Sequence, residues 1–307
     1  MINNTVANAV GFVPDFVISS IAGLFSVIGV LANILTIIAF IRHQSLFKNA
    51  TTLFIINLCV IDLIFSSINL PMMTVFYHYK YWIFGQVLCK IYPILYTLNY
   101  SAGWLTISIV IINRYFLICK PEIYGNIYTS LNVKIMLALV WIIPLFQAFL
   151  ALVEVLGKLD QDPDTLICTI SENNAIDAKK THLVVGFIIP SVVIVITFFL
   201  IYKKVNFKNQ NTTELSDNDT ESIQTNLAIV KIMLTIFICL LICYLPLPLL
   251  MILDDNYQKS NLRIICEIFF WAHVFTNPII FFFTGKLYRE SYRQIMFSFG
   301  KRHTSVK

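Results

Sequence analysis

In a chain of 307 residues, 58% hydrophobic and 13% charged, the side chains able to do chemistry are the polar ones set inside apolar runs. Arg114 is the clearest case. It sits in "LTISIVIINRYFLIC" (105–119), between Asn113 and Tyr115, in a run that is otherwise nearly all apolar. Arginine costs about +2.5 to +3.5 kcal/mol at the centre of a membrane helix on insertion scales, so it persists only where a partner or a task holds it. The same logic singles out Asn33 in "GVLAN", Asp62 in "NLCVID", Asn99, "CYLP" (243–246), Glu267, His273 and "NPIIF" (277–281). A guanidinium offers several donors in a rigid fork. A buried carboxylate among amides could hold a cation or a water cluster. An acid such as Glu267, near the end of an apolar segment, calls for a partner or a ligand. For each residue taken singly, an interhelical hydrogen bond that holds a bundle together is an equal alternative. Catalytic patterns are missing: there is no HExxH or GxSxG, and His273 stands alone in its segment. The acids within the segments are too few for a proton relay, which speaks against an enzyme or a transporter.

The elements that must carry these residues are membrane helices. A crossing needs about 20 mainly apolar residues. Seven windows qualify, at 16–41, 53–77, 90–119, 133–156, 182–205, 227–253 and 262–284. A soluble helical core would show polar faces at helical spacing, and these windows have almost none. The predicted fold is therefore an all-α membrane protein, a seven-helix bundle over 16–284. A short N-terminal segment (1–15) precedes it. "MINNTVANAVGFVPDF" lacks a basic stretch before the first apolar run, so that run is expected to act as its own insertion signal. "KNQNTTELSDNDTESIQTN" (208–226) is almost entirely polar and reads as a loop between the fifth and sixth spans. In "GKLYRESYRQIMFSF" (285–299), Leu287, Tyr288, Ser291, Tyr292, Ile295 and Phe299 fall near one face and the charged residues towards the other. This predicts a short amphipathic eighth helix on the inner surface, followed by a tail to 307. No internal repeat is visible, so the inverted-repeat plan of many transporters has no support.

Orientation follows from basic residues. With the N-terminus outside, fifteen of the 22 Lys and Arg fall at inner ends and loops and seven on the outer side. The net charge of +5 is then a topology signal and points to no nucleic-acid partner. That topology sorts the seven cysteines. Cys59, Cys119, Cys239 and Cys243 lie in spans or at the inner face, where thiols stay reduced. Cys89 heads the third span, Cys168 lies in the long outer loop and Cys266 tops the seventh span, and Cys89–Cys168 is the expected disulfide. Of the Asn-X-Ser/Thr matches at Asn3, Asn49, Asn99, Asn211 and Asn218, only Asn3 is both outside and off a helix, so it is the expected glycosylation site.

Taken in order along seven spans, these residues resemble the rhodopsin-like (class A) G-protein-coupled receptors over nearly the whole chain. The matching positions are Asn33, "NLxxxD" ending at Asp62, "WIFG" before Cys89, Cys89 itself, Asn113-Arg114-Tyr115, Trp141, Cys168, Pro190, Pro246 and Asn277-Pro278. At finer scale, "LFKNATTLFIINLCVIDLIF", "FGQVLCKIYP", "INRYFLIC" and "NPII" resemble the melatonin-receptor-related branch and the arthropod moody/trapped-in-endoderm receptors. The resemblance implies a plasma-membrane receptor that binds an extracellular ligand and activates heterotrimeric G proteins through Asn113, Arg114 and Tyr115. It places Asn33, Asp62, Tyr244, Pro246, Asn277, Pro278 and Phe281 in the activation switch. The implied ligand cavity holds Tyr96, Thr97, Tyr100, Lys179, His182, Tyr244, Met251, Glu267 and Trp271. No cofactor is implied beyond a sodium ion at Asp62, Asn99 and Asn277, with a water-filled polar cluster as the alternative.

Departures from the family pattern carry information. Asn113 stands where Asp is usual, and the position expected to face Arg114 from the sixth span is Asn226, also neutral, so the resting lock on Arg114 is expected to be loose. Tyr244 replaces a usual Trp, Gly103 a usual Ser that would ligate sodium, and Phe198 and Phe281 replace usual Tyr. Tyr96 occupies the place where amine receptors carry an Asp, and Trp271 the place of the retinal-binding lysine, so monoamine and retinal are disfavoured. The aromatic, mixed-charge pocket suits a lipid, a peptide or a small indole-like molecule. Tyr96, Tyr100 and Gly103 follow i, i+4, i+7 down one face of the third span, and Arg114 shares that face 18 residues from Tyr96, a rise of about 27 Å. The rival readings are a ligand-independent scaffold or adhesion protein of the same fold, and a membrane transporter or enzyme.

Overall fold

The computed structural model describes residues 14–42, 49–155, 157–163, 165–171, 181, 183–211, 230–231, 234–253, 261–284, 289 and 292–293. Within them, five helices are long and apolar enough to cross a membrane: Asp15–Arg42, Ala50–Tyr79, Gly85–Cys119, Ser130–Leu152 and Val184–Val205. A shorter apolar helix covers Leu234–Leu250, and a pair bent by 44°, Leu262–Trp271 with His273–Phe283, makes the last crossing. These seven segments coincide with the seven windows, and we call them spans one to seven. The fourth window runs past its helix, which ends at Leu152 and turns through Glu154 at φ 61. The chain is a multi-pass membrane protein. Its outward faces carry apolar side chains such as Leu24, Leu31, Leu139, Phe146, Val195 and Phe199, as a hydrocarbon solvent requires.

Span three is the central element and packs against spans two, four and five. Its neighbours are tied to it by polar contacts that replace the hydrophobic drive missing in lipid. The Trp141 indole donates to Asn57 Oδ1 (2.9 Å), and Asn57 Nδ2 donates to Thr106 Oγ1 (3.0 Å), joining spans four, two and three. Spans two and five each contain a π turn, at Phe65–Asn69 and Val184–Ile188. Span one approaches the first of these so closely that a Cβ at Gly29 would lie 2.4 Å from Ser66 Oγ and 2.8 Å from a methyl of Val274. Any larger residue there would have to displace both of these buried side chains.

The outer loop adds an element absent from the all-helix expectation. Strands β1 (Lys158–Gln161) and β2 (Cys168–Ser171) pair antiparallel, with Gln161 opposite Cys168. The expected disulfide ties Cys168 to Cys89 at the head of span three, with the Cα atoms 5.1 Å apart, and Cys266 is a free thiol. Of the predicted eighth helix, residues 289, 292 and 293 are described. Arg289 and Arg293 are exposed, while the Tyr292 hydroxyl meets Thr36 Oγ1 at 2.6 Å and its ring packs on Phe282. Asn3, Lys179, His182, Asn226 and nearly all of 208–226 lie outside the described residues, as does the side chain of Met251.

Candidate functional site

Three groups of the polar residues line up along span three. The middle group surrounds Asp62, which is almost fully buried. Asn277 Nδ2 donates to Asp62 Oδ2 (3.0 Å), and Asn99 Nδ2 donates to the neighbouring Ile61 carbonyl (3.1 Å). Asn33 ties span one to this group: its Nδ2 donates to the Val274 carbonyl (2.7 Å). The cause is Pro278, which has no N–H and so leaves the carbonyl four residues earlier without its helical donor. Sequence order alone cannot show that an amide from span one fills that gap. His273 joins this group, with Nε2 3.7 Å from Asp62 Oδ1 and Nδ1 hydrogen-bonded to the Phe270 carbonyl. Among the described residues, four buried acceptors here have no hydrogen-bond partner: Asn33 Oδ1, Asn99 Oδ1, Asn277 Oδ1 and His273 Nε2. A buried carboxylate with orphaned amide oxygens on the neighbouring spans is the kind of donor set a small hard cation takes, so these residue types fit the sodium ion the resemblance implies.

The outer group is aromatic. Tyr96 stacks on Phe270 (4.7 Å, 21°), and Tyr100 lies 5.4 Å from Tyr244 and 6.2 Å from Phe270. Tyr244 touches Phe270 and His273 on one side and Trp104 on the other, at 5.0, 4.8 and 5.6 Å. Thr97 is half-buried on the same helix, whereas Trp271 is buried and packs edge-on against Tyr77. Glu267 has the partner its burial demands. Arg263 Nη1 lies 3.1 Å from Glu267 Oε1, and the Tyr77 hydroxyl donates to Oε2 (2.9 Å).

The inner group centres on the triplet. Asn113 is fully buried and uses both ends of its amide. Its Oδ1 accepts from Thr51 Oγ1 (2.7 Å) at the start of span two, and its Nδ2 donates to the Tyr124 hydroxyl (3.1 Å). Tyr124 belongs to the short loop helix Pro121–Ile127 and stacks on Tyr128 (4.8 Å, 25°), whose phenol is pushed well above its usual range by burial. Arg114 is 5% exposed and Tyr115 is half-buried. Phe281 is buried against Phe40 (6.1 Å).

The site residues that sequence reasoning passed over are Trp104, Phe270, Tyr77, Arg263, Thr51 and Tyr124. Arg263–Glu267 at i, i+4 was the one readable signal, since oppositely charged residues at that spacing share a helix face.

Comparison with known proteins agrees with this architecture. Residues 32–281 match the family described as 7 transmembrane receptor (rhodopsin family). The chain is 30% identical to Protein trapped in endoderm-1 of Drosophila melanogaster over 296 residues, covering 89% of this chain and 76% of that one. It is 23% identical to G-protein coupled receptor moody of the same organism, over 89% of this chain, and spans about half of that longer receptor (50%). It is 25% identical to Melatonin receptor type 1B-B of Danio rerio, over 91% of this chain and 81% of that one. Squid rhodopsin superposes with a TM-score of 0.77 at 22% identity, over 92% of this chain and 86% of that one, a likeness of fold. The chain belongs to the rhodopsin family of seven-transmembrane receptors. Its class is that of G-protein-coupled receptors, which are receptors and not enzymes.

Proposed function

We propose that this receptor binds an extracellular ligand in the outer half of the bundle and activates heterotrimeric G proteins through Asn113, Arg114 and Tyr115. The observation that carries the reading is span three itself, one unbroken helix from Gly85 to Cys119. It carries Tyr96 and Tyr100 among the outer aromatics and Arg114 at its inner end, about 27 Å apart by helical rise. A ligand that moves Tyr244 or Phe270 against Tyr100 shifts span six against span three. Outward movement of span six at its inner end would then present Arg114 to a G protein. The lysine and arginine asymmetry and the Cys89–Cys168 bridge support an outer N-terminus and residence in the plasma membrane.

The pocket narrows the ligand class. Tyr96 offers no charge to an ammonium, and Glu267 is already paired with Arg263 and Tyr77. A monoamine therefore finds no free acid among these residues, whereas a lipid, a peptide or a small aromatic molecule meets rings on several sides. Asp62, with Asn99 and Asn277, would hold sodium, neutralising the one carboxylate at mid-membrane depth. The test is a panel of Gα biosensors in cells expressing the receptor, challenged with candidate lipids, peptides and indoles. At least one Gα is expected to respond, and a non-hydrolysable GTP analogue should weaken binding of the active ligand. Ligand binding that is indifferent to the GTP analogue overturns the coupling.

A further inference from the structure

Tyr100 and Trp104 stand one turn apart on span three and share two neighbours. The Tyr100 ring lies 6.2 Å from Phe187 and 5.4 Å from Tyr244. The Trp104 ring meets the same two at 4.9 and 5.6 Å. Phe187 belongs to the π turn of span five, and Tyr244 to span six. Among the described residues, neither the Tyr100 hydroxyl nor the Trp104 indole N–H has a hydrogen-bond partner, and both polar atoms are buried. Trp104 as a whole is 1% exposed. An indole nitrogen only donates, and the phenol hydroxyl one turn away offers a second donor. Buried donors left open are costly, so two of them between the same pair of rings call for a partner from outside the chain. Tyr100 lies one turn inward of Tyr96 and Trp104 one turn further, which puts the donors at the floor of the outer aromatic group.

We propose that Tyr100 and Trp104 receive an uncharged oxygen acceptor of the ligand, a ketone, ester or amide carbonyl, at the floor of the outer cavity. This rests on reading the outer half of the bundle as the ligand site and names the chemistry that site selects. One carbonyl oxygen has two lone pairs, one for each donor. An anion fits less well, because Arg263 is engaged by Glu267 and an unpaired buried charge costs more than a neutral oxygen. A pure hydrocarbon leaves both donors stranded. The ligand-free receptor thus carries two unsatisfied donors, a loss of stability kept for the sake of binding.

The test uses the full-length receptor in lipid nanodiscs, with thermal unfolding as the readout. Without ligand, Tyr100→Phe keeps the ring and removes a stranded hydroxyl, so the melting temperature should rise by about 2–4 °C in a chain of this size. A fall shows that the hydroxyl already has a partner, an ordered water included, and overturns the inference. The binding arm uses two probe pairs that differ only in a carbonyl for a methylene: acetophenone against ethylbenzene, and methyl nonyl ketone against undecane. In wild type, the ketone of at least one pair should stabilise at a concentration at least about tenfold below its hydrocarbon. That preference is the measure, because lost packing weakens both members of a pair alike. It should fall about fivefold in Tyr100→Phe and in Trp104→Phe, the loss of one hydrogen bond in each. No stabilisation by either ketone, equal binding of ketone and hydrocarbon in wild type, or a preference that survives both substitutions overturns the inference alone. Probe binding that Tyr96→Ala, Tyr100→Phe and Trp104→Phe all leave unchanged lies outside the outer cavity, and overturns the ligand-site reading together with the inference.

Discussion

At the scale of single residues, Asn113 decides how tightly the inner end of span three is held. Its Oδ1 accepts from Thr51 and its Nδ2 donates to Tyr124. An aspartate can accept from both hydroxyls, so Asn113→Asp keeps the contacts and adds only a charge beside Arg114. That charge restrains the guanidinium. If it widens the gap between resting and active states by about 1.4 kcal/mol, the active fraction falls about tenfold. The expected outcome is lower ligand-independent G-protein signalling at matched surface level, measured by biosensor. A level or higher basal signal shows that the neutral residue does not loosen the lock. Asp62→Asn is the companion case. The Asn277 hydrogen bond survives, because an amide oxygen can accept it, while the charge is lost. Surface expression should stay near normal and signalling should change. Unaltered signalling at equal expression makes Asp62 a packing residue only.

At the scale of elements, two ties between segments set the frame. The Cys89–Cys168 bridge fixes strand β2 over the head of span three. Replacing either cysteine by serine should lower surface expression, a loss of about 2–5 kcal/mol for a structural disulfide. The double replacement should be no worse than either single one, because both remove the same bond. Additive losses point to separate roles. The second tie is Asn57, which accepts from Trp141 and donates to Thr106. Asn57→Leu leaves the indole N–H buried without an acceptor, at a cost of about 1–3 kcal/mol. The melting temperature of the purified receptor should fall, and Trp141→Phe in the same background should recover part of the loss by removing the stranded donor.

At the scale of the whole molecule, the proposed function depends on the outer aromatic group and the inner arginine belonging to one body. Arg114→Ala should abolish both basal and ligand-driven coupling while leaving the outer pocket, and hence ligand binding, within a few fold of wild type. Radioligand or fluorescent-ligand binding beside a Gα biosensor separates the two. Coupling that survives the substitution removes Arg114 from the mechanism. The family pattern implies that Phe198 and Phe281, each standing where a tyrosine hydroxyl is usual, oppose activation, and Phe198 packs on Phe237 (6.0 Å) within the same core. Comparing Asn113→Asp with wild type holds those rings constant.

The sequence by itself determined the seven spans, the family, the disulfide and the list of polar residues worth examining. Each of these follows from composition, from helix length against bilayer thickness, or from residues met in order along the chain. Tertiary structure alone decided which polar atoms meet. Nothing in the spacing of Asn33 and Pro278 says that an amide from span one fills the carbonyl freed in span seven. Nor does the order of the chain place the Tyr244 hydroxyl against Gly103, or His273 against Asp62. The physical reason is that in a membrane every helix is apolar around most of its surface, so periodicity does not say which face turns inward. The rotation of each helix is set by small residues that allow close approach and by a few polar contacts between residues far apart in sequence. Those contacts exist only after the helices have packed.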